Sequence, residues 1–231
     1  MNPIPKEYLL AMEAAVEASA EIMRIYKEGF DTVQKTDGSP VTVADLNSSA
    51  IISKHLEKTG IPIIGEELKN LPFEERKNWT ENWCVDPLDG TKEFIKKNDE
   101  FCISIAHIKN GKPYFGLLTE PCRGRMIFGA REFGVYIWDF IIDPEKNNLQ
   151  TIGESPELGN DVVWIASRSH ESADVQWVDK LSKSFSSVRK IPKGSAIKFF
   201  DLALGNAQIY PRFAPTMEWD IAAGQAILEA L

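Results

Sequence analysis

Two aspartates three residues apart, Asp86 and Asp89, lie in the stretch Val85-Asp86-Pro87-Leu88-Asp89-Gly90-Thr91, and a chemistry follows from their setting. Pro87 has no N–H and fixes its own φ, so it holds Asp86 extended and stiffens the turn. Leu88 can offer a backbone carbonyl, Asp89 suits the N-cap of a helix, and Gly90 and Thr91 would present free N–H groups at its start. Two carboxylates and a carbonyl suit a hard cation such as Mg²⁺, and the amides suit a phosphate oxygen. On local chemistry alone a plain capped turn explains the stretch equally well. Three further carboxylates stand at comparable places. Glu66 follows the strand-like run Ile61-Pro62-Ile63-Ile64, Asp45 falls near a helix start, and Asp220 opens a helix after Glu218-Trp219. Each alone reads as a solvated acid or a charge favourable to a helix dipole.

The elements that must position these residues are legible in outline. An amphipathic helix is expected from about Lys6 to Gly29, with Glu13, Glu17 and Glu21 interrupting its apolar positions at helical spacing. A turn-rich segment from Lys35 to Asp45 leads into a second helix carrying Leu46, Ile51, Ile52 and Leu56. Asn82 to Val85 reads as a short buried strand that ends before Asp86, and Thr91 to Ile95 starts a helix. Phe101–Ile108 and Pro113–Leu118 pair around Asn110-Gly111, and runs at 125–130 and 134–138 continue an antiparallel meander. Residues from about Asp139 to Asn160 read as a connection. The strand Val162–Ala166 then ends in Ser167-Arg168-Ser169-His170, a helix carries Trp177 and Leu181, and another helix begins at Gly194-Ser195. His107 alternates with apolar residues and reads as a packed or surface histidine.

Composition narrows the class. The 231 residues allow a sizeable core, and a net charge of −8 argues against a surface that coats a nucleic acid polymer. Three cysteines, Cys84, Cys102 and Cys122, are an odd number without C-x-x-C spacing, so neither a disulfide framework nor a zinc site is expected, and a reducing cytoplasm is the simplest home. The N-terminal helix is too interrupted by charge for a signal peptide or a transmembrane segment.

An acid after Val41-Thr42-Val43-Ala44, then Gly65-Glu66-Glu67, then Asp86-Pro87-Leu88-Asp89-Gly90-Thr91, then Trp219-Asp220 before a helix of small residues, in that order, resembles the inositol monophosphatase-like superfamily of Mg²⁺-dependent, lithium-sensitive phosphatases. Ser39-Pro40-Val41-Thr42-Val43-Ala44-Asp45, Ser167-Arg168-Ser169-His170, Gly194-Ser195-x-x-Lys198-Phe199 and the run from Tyr210 to Asp220 resemble its 3′(2′),5′-bisphosphate nucleotidase branch. The resemblance implies a mixed α/β, layered αβαβα sugar-phosphatase fold. Its site lies between an N-terminal half, residues 1–140, carrying the metal motifs and a C-terminal half, residues 141–231, carrying the Trp-Asp motif and nucleotide contacts. It implies Mg²⁺, two or three ions, held by Glu66, Asp86, the Leu88 carbonyl, Asp89 and Asp220, with Asp45 and Thr91 orienting the attacking water. Gly90 and Thr91 would hold the phosphate, with Asp220 also on the substrate side. His170, Ser195, Lys198 and Arg212 would face the nucleotide and its second phosphate. The implied substrate is adenosine 3′,5′-bisphosphate, a by-product of sulfate activation, and the products are AMP and phosphate; the alternatives are an inositol monophosphate or sugar-phosphate phosphatase of the same superfamily and, from another class, a non-catalytic sensor of nucleotide and Mg²⁺. A D-x-D-x-T phosphatase is excluded, because the position two before Asp89 is Pro87. Related chains usually continue past the Trp-Asp helix through a glycine pair and a last strand region, whereas this sequence stops at Ala230-Leu231; the oligomeric state stays open.

Overall fold

The structure, a computed structural model, describes residues 3–36, 38–69, 71–153, 158–167, 175–212 and 215–231. Helix α1 (Lys6–Glu28) is followed by a small antiparallel hairpin, β1 (Thr32–Gln34) with β2 (Pro40–Thr42), and by α2 (Val43–Leu56). The seven-stranded sheet then begins with β3 (Ile63–Gly65), passes the short α3 (Phe73–Arg76), and continues as β4 (Glu81–Asp89). After α4 (Thr91–Ile95) come β5 (Cys102–Lys109), β6 (Lys112–Glu120), β7 (Arg125–Ala130), β8 (Gly134–Asp139) and β9 (Gln150–Ile152). Strand β3 runs parallel to β4; every later neighbour in this sheet is antiparallel. A second, parallel pair is made by β10 (Asp161–Ala166) and β11 (Ser187–Pro192), joined through α5 (Val175–Ser184). Helices α6 (Lys198–Ala203) and α7 (Glu218–Glu229) complete the chain.

The large sheet is covered on both faces, which is why its strands read as near-continuous apolar runs. Residues alternate between two cores. Trp83 and Val85, Ile103 and Ile105, Phe115 and Leu117, and Met126 and Phe128 meet α1 and α2. Cys84, Cys102, Ala106, Leu118 and Ile127 meet α6 and α7. With β10, β11 and α5 beyond, the order helix, sheet, helix, sheet, helix is the layered arrangement the sequence motifs imply.

One local departure matters for the site. The expected strand end at Val85 is wrong by four residues, because β4 continues through Asp89. Asp86 pairs with Ser104 and Asp89 with Cys102, so three steps along β4 match two along β5, a one-residue bulge. In a regular strand Asp86 and Asp89, three apart, would point to opposite faces. The bulge turns Leu88 into the α1/α2 core and returns Asp89 to the face that carries Asp86. Ser48 of α2, fully buried, fixes the bulge by donating to the Pro87 carbonyl at 2.7 Å.

Other boundaries also shift. The segment read as a connection contains β9, a three-residue edge strand, and the expected helix at Gly194 begins only at Lys198, with 194–197 forming a loop. The Asn110-Gly111 turn is as expected, with both residues at positive φ, 51° and 72°.

Helix α7 lies against β5 and β6 because small residues face each other. A Cβ on Gly116 would lie 2.0 Å from the Ala223 carbonyl oxygen, and one on Gly224 would lie 2.1 Å from the Phe199 ring. Ser104 Oγ donates to the Trp219 carbonyl at 2.9 Å and ties the helix start to the sheet. Gly116→Ala is therefore expected to lower unfolding stability by about 1–3 kcal/mol, as overpacking does. Gly153→Ala, in open space, should change it by less than about 0.5 kcal/mol. Urea unfolding midpoints of the two variants check this, and equal effects would contradict it.

Candidate functional site

The end of β4, the loop after β3, the loop before α6 and the start of α7 enclose a cavity of about 260 Å³. Its walls include Glu66, Asp86, Leu88, Asp89, Gly90, Thr91, Ser195, Lys198, Arg212 and Asp220. All but two of the residues singled out from the sequence are thus brought together there. Asp45 stands behind the wall, bonded to Thr91, and His170 lies outside the described residues.

Asp86, Asp89 and Asp220 each offer a carboxylate oxygen, and these atoms all lie within 4.8 Å of one another. Asp86 is buried, with Oδ1 accepting the Leu88 N–H at 3.0 Å. Burial pushes its carboxyl well above the ordinary range, and the charges of Asp89, Glu66 and Asp220 add to the shift. Asp89 is pushed up to about 6 by burial and then by Asp220, against the opposing pull of Lys198, the Ala196 N–H and the Ser195 hydroxyl. Asp220 is held at the start of α7, its Oδ2 accepting from Thr216 Oγ1 at 2.5 Å and from the Met217 N–H at 3.0 Å. Three hard oxygen donors gathered this closely, two of them with raised proton affinity, form a set whose chemistry fits Mg²⁺.

Glu66 follows β3 directly. A Cβ on Gly65 would lie 2.9 Å from the Val85 carbonyl oxygen, and the Glu66 N–H donates to that oxygen at 3.2 Å, so Glu66 is seated beside the end of β4. Its Oε1 accepts from Lys35 Nζ at 2.8 Å, and the same ammonium bonds Glu67. These two carboxylates raise the Lys35 pKa although burial opposes the shift.

Asp45 caps α2 with one carboxylate oxygen and meets Thr91 with the other. It is the third residue of α2 and closes a capping box with Thr42, taking the Thr42 N–H at 2.7 Å and hydroxyl at 2.6 Å on Oδ2. Its other oxygen, Oδ1, accepts from Thr91 Oγ1 at 2.9 Å. Burial raises its carboxyl pKa, with the Thr42 and Thr91 hydrogen bonds opposing the shift.

On the opposite wall Lys198 is buried, and burial lowers its pKa while Asp89 opposes the change. Its ammonium donates to the carbonyls of Ser195 and Lys193, the latter at 3.4 Å, and lies 5.2 Å from the centre of the Tyr210 ring. Arg212 is exposed at the rim. Residues that sequence reasoning missed include Lys35, Ser48, Cys102, Lys92, Tyr210 and Thr216. Thr216 stands one residue before the N-cap Met217 and is a near neighbour of Asp220 in sequence, whereas Lys35, Ser48 and Cys102 act across the fold. His107, read as a packed or surface histidine, is packed: it is buried between Tyr8 and Trp83.

The sequence matches the inositol monophosphatase family over residues 6–231. It is 36% identical over 230 residues to the 3′(2′),5′-bisphosphate nucleotidase CysQ of Escherichia coli strain K12, a match covering 94% of this chain and 85% of the relative. It is 37% identical over 215 residues to the CysQ of Buchnera aphidicola, covering 90% of this chain and 76% of that one. The crystal structure of CysQ from Bacteroides thetaiotaomicron, a bacterial member of the same family, aligns with a TM-score of 0.83 at 35% identity, over 96% of this chain and 85% of that chain. An inositol monophosphatase from Anabaena, 22% identical, shares the fold at a TM-score of 0.69 over 95% of this chain and 79% of its own. A carboxylate cluster, a layered fold and a match from Lys6 to the last residue agree: this chain belongs to the inositol monophosphatase family.

Proposed function

We propose that this chain is a Mg²⁺-dependent phosphatase that hydrolyses the 3′-phosphate of adenosine 3′,5′-bisphosphate, giving AMP and phosphate. The observation that carries the reading is the convergence of Asp86, Asp89 and Asp220 within 4.8 Å, beside the Thr91–Asp45 hydrogen bond. The identity to bisphosphate nucleotidases over nearly the whole chain supports the choice of substrate.

Glu66, Asp86, Asp89, Asp220 and the Leu88 carbonyl would hold Mg²⁺. Four carboxylates exceed the one or two that a single Mg²⁺ usually takes, in keeping with two or three ions. Bound there, Mg²⁺ supplies positive charge to the phosphoryl oxygens and acidifies water. The chain's own residues do the rest. Thr91 gives its hydroxyl hydrogen to Asp45, so the lone pairs of Oγ1 remain to accept a hydrogen bond from a water in the cavity. The water's proton can pass to Asp45, whose burial favours the protonated form. The water oxygen bonds to phosphorus, the bond to the 3′-oxygen breaks, and that oxygen takes up a proton. Gly90 and Thr91 amides face the transferred phosphate, and Arg212 faces the second phosphate. No helix among the described residues is long and apolar enough to cross a membrane; a reducing cytoplasm is proposed on the cysteine pattern, an odd number without C-x-x-C spacing.

Phosphate release from adenosine 3′,5′-bisphosphate should require Mg²⁺ and fall more than about 100-fold in Asp89→Asn, since losing even an outer partner of a metal site costs 10–100-fold. Undiminished release, or tight binding of the bisphosphate without turnover, would overturn the reading. Arg212→Ala should raise KM for the bisphosphate about tenfold, the loss of one charge-assisted contact, while leaving adenosine 3′-monophosphate hydrolysis unchanged. Equal effects on the two substrates would remove Arg212 from the second-phosphate site.

The metal-free protein should show the repulsion directly. Folded Asp86 and Asp89 hold protons above the pH at which they ionise in the unfolded chain, so their contribution is present at low pH; the share from Asp89 is lost as pH rises through about 6, and Asp86 acts in the same direction. In EDTA, Asp89→Asn should therefore flatten the fall in Tm between pH 5 and 8 and exceed the wild type at pH 8. Mg²⁺ should raise Tm in the wild type far more than in the variant. A steeper fall in the variant would contradict this.

A further inference from the structure

Lys198, Tyr210 and Arg212 line the cavity together, and the two cations among them oppose one another. Burial lowers the Lys198 pKa, and the charge of Arg212 acts in the same direction. Lys198 is held by the carbonyls of Ser195 and Lys193. Arg212 has a weaker hold: its side chain is exposed, and Nη2 reaches the Pro215 carbonyl only at 3.5 Å, the outer limit of a hydrogen bond. A long side chain in that state loses rotamer freedom when it meets a ligand, and the like charge of Lys198 favours rotamers that point away.

Tyr210 meets both cations. The Lys198 ammonium lies over its ring, 5.2 Å from the centre, and its hydroxyl meets the Arg212 guanidinium. Burial pushes that hydroxyl's pKa up, while the charge of Arg212 and its hydrogen bond to the oxygen oppose the shift. A guanidinium can only donate, so the tyrosine oxygen is the acceptor. Tyr210 is itself firmly placed. Ile209, just before it, is bridged in parallel to Trp164 of β10, its carbonyl accepting the Ile165 N–H at 2.8 Å, and the Gln208 N–H donates to the Val163 carbonyl at 2.8 Å. Pro211, just after it, keeps the Tyr210 backbone extended. The ring meets Phe199 edge to face, with centroids 5.6 Å apart, and Phe199 is wedged against Gly224 of α7.

We propose that Tyr210 is a positioning residue for the second-phosphate subsite: fixed by β10, α6 and α7, it accepts a hydrogen bond from Arg212 on its hydroxyl and aims the guanidinium into the cavity. The inference rests on the bisphosphate reading above and adds the group that orders the arginine before substrate arrives.

Tyr210→Phe tests this, because phenylalanine keeps the ring and its contacts with Lys198 and Phe199 while removing only the hydroxyl. KM and kcat are measured at saturating Mg²⁺ for adenosine 3′,5′-bisphosphate and adenosine 3′-monophosphate, with Arg212 present and in Arg212→Ala. The expected result is a KM for the bisphosphate raised about fivefold to tenfold, the effect of one hydrogen bond to a charged group, with kcat and the KM for the monophosphate within about twofold of wild type. In the Arg212→Ala background the same substitution should change KM for neither substrate, because residues that act through one group are not additive. An unchanged KM in Tyr210→Phe overturns the proposal. So does a rise as large without Arg212 as with it, which would make the hydroxyl a ligand contact in its own right, and so does an equal rise for both substrates. Wild-type protein that releases no phosphate from either substrate would fail the functional reading itself, before any variant is compared, and the proposal with it.

Discussion

Like charges held together out of water are the constraint on which this structure turns. Three carboxylates within 4.8 Å, one of them buried, oppose folding of the metal-free chain, and the raised proton affinities of Asp86 and Asp89 record that opposition. The rest of the fold can be understood as what holds them there. Asp86 is carried in mid-sheet, Asp89 is caught by the loop before α6, and Asp220 is capped into the first turn of α7. None of the three hangs from a long loop.

The bulge in β4 is the device that makes the pair. Period-two alternation sends Trp83 and Val85 to one core and Cys84 to the other, and an uninterrupted strand would have divided Asp86 from Asp89 in the same way. One extra residue, stiffened by Pro87 and pinned by Ser48, converts a spacing of three into a shared face. The same residues therefore belong to folding and to chemistry: Asp45 caps α2 with one oxygen and holds Thr91 with the other.

What could be read from the sequence was whatever local physics or motif order encodes. The Asn110-Gly111 hairpin, the apolar runs of the meander and the strand–turn–helix around Asp89 all carry short-range signals, and the order of the four acidic motifs pointed to the family. The bulge was hidden, because its only sequence mark is a proline that equally suits a turn. Strands β1, β2, β9 and β11 escaped because they are three to six residues long or mostly polar. Lys35, Ser48 and Cys102 were illegible for another reason: each meets its partner across the tertiary fold, through 31, 39 and 13 residues of intervening sequence offset. Ser195 was named from the sequence, but the hydrogen bond from its hydroxyl to Asp89, 106 residues away, was not legible there.

The contact between Gly116 and α7 has a consequence for the whole site. With no side chain between them, the helix backbone rests on the strand backbone, and Phe199 fills the notch at Gly224 from the other side. A helix seated in this way has no soft layer through which to slide or roll, since packed interiors compress little. The distance from Asp220 to the two sheet aspartates is therefore a property of main-chain steric contact. The gauge of the metal pocket is cut into the core by absent side chains, several residues away from any group that touches its contents.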